Sequence, residues 1–208
     1  MHFLRARVVP VAVILGAGAV IGALGSLTVR FDGPFFNVVG LIFSGGWSWA
    51  CFAFMVGYFR PSKVESALLA SSALAVGVII YYLVKYTIPA APIGMTASGG
   101  PGSEAASRVL VWGMAAFAFG GPVALVGNLA RAPGIAGLSF RLLVPLIAFV
   151  ETSFRLDAEA DLGGKVAEIT WHVTRVVAVL IAVALIGHTV WRWRVRRRSL
   201  RVRAATES

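Results

Sequence analysis

Charge is scarce in this chain, and acid is scarcer than base: nine Asp and Glu stand against nineteen Lys and Arg, and charged residues are only 13% of 208. A water-soluble domain carries about a quarter of its residues charged, so that class is excluded. The single cysteine, Cys51, permits no intrachain disulfide and reads as a small apolar filler. The histidines, His2, His172 and His188, are too scattered to build a metal site. No GxxxxGK[ST], HExxH, GxSxG or CxxC occurs, which removes the usual phosphate-loop, zinc, serine-hydrolase and dithiol chemistries. No metal and no cofactor is expected.

What is present is apolar. Hydrophobic residues make up 58% of the chain. They gather in six runs: Val8 to Val29, Phe35 to Phe59, Ala67 to Tyr86, Val109 to Ala130, Ile135 to Phe154 and Ile169 to Trp193. A helix needs about 20 apolar residues to cross a bilayer core, and each run has that length. The expected fold is all-α, a polytopic membrane protein with one bundle of six transmembrane helices in residues 1–193. A basic cytoplasmic tail, residues 194–208, follows.

The few charges are sorted by side. Arg5, Arg7, Arg60, Lys63, Arg131, Arg141 and the tail arginines fall on one side, with only Glu65 and Glu207 for acids. The other side is nearly balanced, Arg30, Lys85, Arg108, Arg155, Lys165 and Arg175 against Asp32, Glu104, Glu151, Asp157, Glu159, Asp161 and Glu168. Basic residues stay on the cytoplasmic side, so both termini are expected inside. The first run is longer than the 7 to 15 or so residues of a secretory signal's apolar region, which favours an uncleaved span. A net charge of +10 would suggest nucleic acid in a soluble protein. Here Arg192, Arg194, Arg196, Arg197, Arg198, Arg201 and Arg203 close the last span, where anionic lipid headgroups are the expected partner.

Several spans carry internal marks. In the first, Gly16, Gly18, Ala19, Gly22, Ala23 and Gly25 form a small-residue stripe that lets helix backbones approach, as an internal seam or toward a transmembrane partner. The second is interrupted at Ser44, Gly45 and Gly46, just before Trp47 and Trp49, and the fourth at Gly120, Gly121 and Pro122. Such interruptions predict broken or kinked helices and point to a central site in transporters. WSWACFAF (Trp47 to Phe54) and WGMAAFAF (Trp112 to Phe119) form a faint repeat between these two spans. Ser62 and Glu65 have capping-box spacing at the start of the third. The stretch from Ile88 to Ser107, rich in Pro, Ala, Gly and Ser, reads as a loop on the outer side.

Ionisable residues within spans are costly and carry the functional expectation. Glu151 and Arg155, four apart, can pair on one helical face. Glu168, His172 and Arg175 share a stripe of the sixth span. If that stripe faces Glu151 and Arg155, the two helices make an outer polar pocket, to which Tyr81, Tyr82 and Lys85 can contribute, with Trp47 and Trp49 deeper. An ion-pair network pinning two helix ends is the other reading. Arg141 either reaches the cytoplasmic interface by snorkelling or has a buried role. Asp157, Glu159, Asp161 and Glu168 approach the spacing of a calcium loop, but Leu162 stands where that loop needs glycine, so a solvated acidic loop is expected.

The motifs GALGSLT (Gly22 to Thr28), Trp49 with AFMVG (Ala53 to Gly57), Gly77 to Tyr82, GGP (Gly120 to Pro122) and AFVE ending at Glu151 together resemble a family of small six-span membrane proteins, mainly actinobacterial. That resemblance implies a bacterial inner membrane and carries no activity with it. Three functions remain open on the sequence. The leading one is a small-molecule-binding or transport subunit with an outward-facing polar pocket between spans 3, 5 and 6, similar in size and layout to the binding components of energy-coupling-factor uptake systems. A membrane-embedded enzyme acting on a lipid or isoprenoid would use Glu151 as proton donor or base, with Trp112 joining the other aromatics around a cavity. An accessory membrane subunit would have no site at all.

Overall fold

In a computed structural model the chain is described at residues 2–28, 31, 33–87, 101–159 and 164–206, with side chains at 9–28, 31, 33–87, 106–158 and 164–195. Most of the loop from Ile88 to Ser107, several charges of the balanced side (Arg30, Asp32, Glu104, Glu159, Asp161) and the tail arginines from Arg196 onward lie outside the described residues or side chains. Eight helices follow in order: α1 (His2–Leu27), α2 (Pro34–Ser44), α3 (Gly46–Phe59), α4 (Lys63–Thr87), α5 (Pro101–Leu129), α6 (Ile135–Arg141), α7 (Leu143–Glu159) and α8 (Gly164–Thr206). Among the described residues there is no strand.

Five segments are long and apolar enough to cross a membrane: Val9–Leu27, Lys63–Thr87, Ala106–Leu129, Ile135–Ala158 and Gly164–Val195. α2 and α3 meet at 60° and would make a sixth crossing only if the bent pair counts as one span. Large apolar side chains cover the outside, among them Val173, Val177, Leu180, Val183 and Ile186 of α8 and Leu110, Met114 and Phe117 of α5. Water would not tolerate so continuous an apolar exterior, and a bilayer requires it. The chain is a multi-pass membrane protein.

Small residues decide how the bundle closes. A Cβ at Gly18 would overlap the Ala73 carbonyl, and one at Gly22 the Gly77 carbonyl, so α1 and α4 run in the same direction with their backbones in contact. The stripe expected in the first span is therefore an internal seam at Gly18 and Gly22, while Gly16 has open space beside it. Gly57 of α3 and Gly127 of α5 cross in the same way, each against the other helix's backbone, at the carbonyls of Ala124 and Phe54. Between lipid-facing helices association comes from such packing rather than from expelling water. The tight core, Ala53, Val56, Leu69, Ala70, Leu74 and Ala124, joins α3, α4 and α5.

The two expected interruptions behave differently. The second span breaks at Gly45, whereas the fourth, α5, runs on through Gly120, Gly121 and Pro122. Gly120 and Gly121 lie against Ser71 of α4, whose hydroxyl donates to the Phe117 carbonyl at 2.7 Å in the turn preceding the proline. That bond and the close packing support the turn where Pro122 removes an amide donor. Leu142 between α6 and α7 keeps helical backbone angles, so the two together make one candidate crossing.

Polar side chains finish the ends of helices. Ser62 accepts the Glu65 amide at 3.3 Å, the expected cap, and the Glu65 carboxylate pairs with Arg60 at 3.3 Å. Asn128 donates to the carbonyls of Arg60 (2.6 Å) and Pro61 (3.2 Å), tying the end of α5 to the α3–α4 turn. Arg141 is turned back into the protein: its Nε donates to the Ala130 carbonyl at 2.8 Å and a terminal nitrogen to that of Ala132 at 3.1 Å. These carbonyls follow α5, so a cation satisfies a helix C-terminus. Arg141 is half-buried and reaches the connection between α5 and α6.

Candidate functional site

A helix broken within a membrane exposes amide donors on one half and carbonyls on the other, and lipid can satisfy neither. The break at Gly45 is closed by three side chains. Glu151, from α7, accepts the Gly46 amide at 2.9 Å through Oε1 and the Trp47 amide at 2.7 Å through Oε2. On the other half, the Trp49 indole donates to the Phe43 carbonyl at 2.8 Å. Ser48 donates its hydroxyl to the Gly45 carbonyl at 2.7 Å. A carboxylate at a helix N-terminus also meets the positive end of the helix dipole, which strengthens the cap.

Glu151 holds Arg155 as well. Arg155 Nε donates to Oε1 at 3.1 Å, the four-residue pair expected from the sequence. Behind it, the guanidinium lies over the Trp171 ring, 4.9 Å from the centroid. Trp171 is only 1% exposed and is the largest fully buried side chain described. The chain of contacts runs from the α3 amides through Glu151 and Arg155 to Trp171, so α3, α7 and α8 are fastened at one level.

Beside this junction lies a chamber of about 520 Å³. Trp49, Ala50 and Ala53 of α3, Leu74, Val78, Tyr81 and Tyr82 of α4, and Trp112, Ala115, Ala116, Phe119 and Val123 of α5 form its walls. Ser44, Gly46, Glu151 and Arg155 complete it. The alanines on α3 and α5 leave the volume and the aromatics surround it; among the described residues Glu151 and Arg155 are its charged lining. Its size falls within the roughly 300–1,000 Å³ of ordinary ligand pockets.

Leu146, Ile147, Val150, Phe154 and Ala158 form, with Glu151 and Arg155, one largely exposed apolar face of α7. Glu151 and Arg155 belong both to this face and to the chamber.

Five of the ten residues singled out from the sequence line the chamber: Glu151, Arg155, Tyr81, Tyr82 and Trp49. Trp47 does not; it contributes its amide to Glu151. Lys85 sits one turn beyond, its ammonium 5.7 Å from the Tyr81 ring centroid. Glu168 and His172 are exposed and Arg175 half-buried, with an Arg175 to His172 hydrogen bond at 3.1 Å. The α8 face turned inward carries Ala167, Trp171 and Ala178 instead. The chamber thus lies among α3, α4, α5 and α7, with Glu151 and Arg155 as its charged pair and without Glu168, His172 or Arg175 of α8. Charged side chains near the end of a span reach water more cheaply than they pack in a bundle, which explains why the polar stripe of α8 turns outward. Sequence reading did not foresee the Trp171 contact or the alanine-lined floor. The spacing of Ala167, Trp171, Thr174 and Ala178 was the signal for the first. No family model matches the chain, and no curated protein or solved structure does either.

Proposed function

We propose that this protein is a binding or transport subunit of the bacterial cytoplasmic membrane that takes a small amphipathic molecule into the chamber between α3, α4, α5 and α7. One observation carries the reading: a cavity of about 520 Å³ with apolar and aromatic walls has a single Glu–Arg pair at its edge. Such walls suit the body of an apolar molecule, and the pair suits one polar end.

The charge sorting supports six spans with both termini cytoplasmic. In that orientation Tyr81, Tyr82, Glu151 and Arg155 belong to the outer half of the membrane, and the arginine tail meets anionic headgroups on the inner side. The resemblance to small actinobacterial six-span proteins agrees with this location. Gly16, open on its own side of α1, is the place where the small-residue stripe has room for a transmembrane partner.

Binding is favoured over acid–base catalysis by what Glu151 already does. Both of its oxygens accept N–H donors, from Gly46, Trp47 and Arg155. A carboxylate so engaged holds structure and orients a ligand; it is not poised to hand over a proton.

The test is extraction of the purified protein with organic solvent, followed by mass spectrometry, for wild type and for Ala115→Phe, which fills the chamber. A stoichiometric small molecule present in the first and lost in the second is the expected result. Identical extracts from both, with the variant folded, would remove the chamber from consideration. A fusion reporter at each terminus checks the orientation, and an active periplasmic reporter on either would overturn it.

A further inference from the structure

Remote from the chamber, a small notch lies at the end of the bundle from which the arginine-rich tail leaves. It is built by the turn before α6, by Arg141, and by one face of α8, where His188, Thr189, Arg192 and Trp193 recur at helical spacing. Glu151 stands ten residues beyond Arg141 in the same candidate crossing, so at about 1.5 Å per residue roughly 15 Å separates the notch from the chamber's ion pair. Two apolar segments bracket its level. Ile135–Ala158 begins immediately after Gly134, and Gly164–Val195 ends two residues past Trp193, so the notch sits where both meet the membrane surface. A tryptophan is at home at that level.

The notch is charged with one sign. Arg141, His188 and Arg192 line it, no acid does, and among the described residues no carboxylate pairs with either arginine. The Ala130 and Ala132 carbonyls take Nε and one terminal nitrogen of Arg141, and its other terminal nitrogen has no acceptor among the described residues. A half-buried guanidinium is thus held rigidly with donors to spare, and a second arginine lines the same space. That arrangement suits the several oxygens of a tetrahedral anion. The space is about 80 Å³, and a water molecule takes about 30 Å³, so one such group fits and a whole ligand does not. We infer that the notch binds a phosphate group at the membrane surface, independently of the chamber. Arg141 and Arg192 donate to the phosphate oxygens, His188 offers a ring N–H, and Trp193 forms an apolar side wall. The remainder of the molecule lies outside, in the bilayer for a phospholipid or in water for a soluble phosphate.

The experiment uses delipidated full-length protein in an uncharged detergent, read by native mass spectrometry. It is titrated with dioleoyl phosphatidylglycerol and, separately, with dioleoylglycerol, which has the same chains and no phosphate. Wild type should hold one phosphatidylglycerol in clear preference to dioleoylglycerol. Arg192→Gln should weaken that binding about tenfold or more, while Arg194→Gln, which removes an exposed arginine outside the notch, should leave it within about threefold. His188→Ala, also at an exposed position, should shift it in the same direction as Arg192→Gln, and Ala115→Phe in the chamber should leave it unchanged. Equal losses in Arg192→Gln and Arg194→Gln would reduce the binding to general attraction by the tail and overturn the site. Equal binding of the two lipids, or loss of phosphatidylglycerol in Ala115→Phe, would overturn it as well. Sodium phosphate, compared with sodium chloride at matched ionic strength, separates the two sources: displacement of the lipid assigns the notch to a soluble phosphate, retention assigns it to the headgroup, and either upholds the phosphate site.

Discussion

Glu151 and Trp47 are 104 residues apart in the chain, and the carboxylate of one accepts the backbone amide of the other at 2.7 Å. The same carboxylate takes the neighbouring amide of Gly46 and the guanidinium of Arg155. The backbone between α2 and α3 can therefore bend by 60° inside the bundle.

Removing that carboxylate should be costly. Glu151→Ala leaves two amide donors of α3 and the Arg155 guanidinium without their acceptor, and each such loss costs about 1–3 kcal/mol. Thermal unfolding in detergent, followed by tryptophan fluorescence, should show a clear drop in midpoint. Glu151→Gln, which keeps one acceptor oxygen, should fall between wild type and alanine; equal midpoints for all three would show that the cap contributes nothing.

The α1–α4 seam predicts a sharp positional contrast. Gly22→Ala places a methyl group into the Gly77 carbonyl, and overpacking of this kind costs about 1–3 kcal/mol or more, because backbone cannot step aside. Gly16→Ala meets nothing within 4 Å and should be neutral or slightly stabilising, since alanine is the better helix former. Size-exclusion profiles and unfolding midpoints of the two variants, compared side by side, provide the check.

Arg141 should behave as a helix cap. Arg141→Met keeps much of the side chain's bulk but abandons the carbonyls of Ala130 and Ala132, with an expected loss of about 1.5–3 kcal/mol for hydrogen bonds to a charged group. Arg141→Lys retains the charge yet cannot present two nitrogens in a plane, so it should recover only part of that loss. A lysine variant as unstable as methionine would mean that geometry alone matters.

Ser71→Ala tests the support beneath Pro122. Hydrogen bonds between membrane helices average about 0.6 kcal/mol, so the loss in midpoint should be small. Hydrogen exchange should nevertheless rise in the turn around Phe117, where the Ser71 hydroxyl is bonded, and remain unchanged in α1. Faster exchange throughout the bundle would count against a local role.

Much of this architecture was legible in the sequence because lipid imposes length and apolarity on every crossing. The pairing of Glu151 with Arg155 and the cap at Ser62 were legible because both are local, set by helical spacing. The second task of Glu151 was not, since nothing within a few residues of Gly46 indicates an acceptor from the fifth span. The interruptions at Gly45 and at Gly120 look alike in composition, yet one breaks and the other does not; the difference lies in Glu151 and Trp49 at the first and Ser71 at the second, all supplied by the folded neighbourhood. On α8 the charged stripe drew attention, while the small and aromatic stripe through Trp171 was the one that packs.

The distance along the chain between the break and its cap also bears on assembly. During synthesis the second span is inserted about a hundred residues before Glu151 follows it, a gap fixed by their sequence separation. Until the fifth span arrives, the Gly46 and Trp47 amides have no side-chain carboxylate to meet, and a straighter helix satisfies them better. The bend at Gly45 is therefore expected to form only when α7 docks, and the chamber beside it with it. A chain truncated before Glu151 should insert its early spans and still lack the cavity.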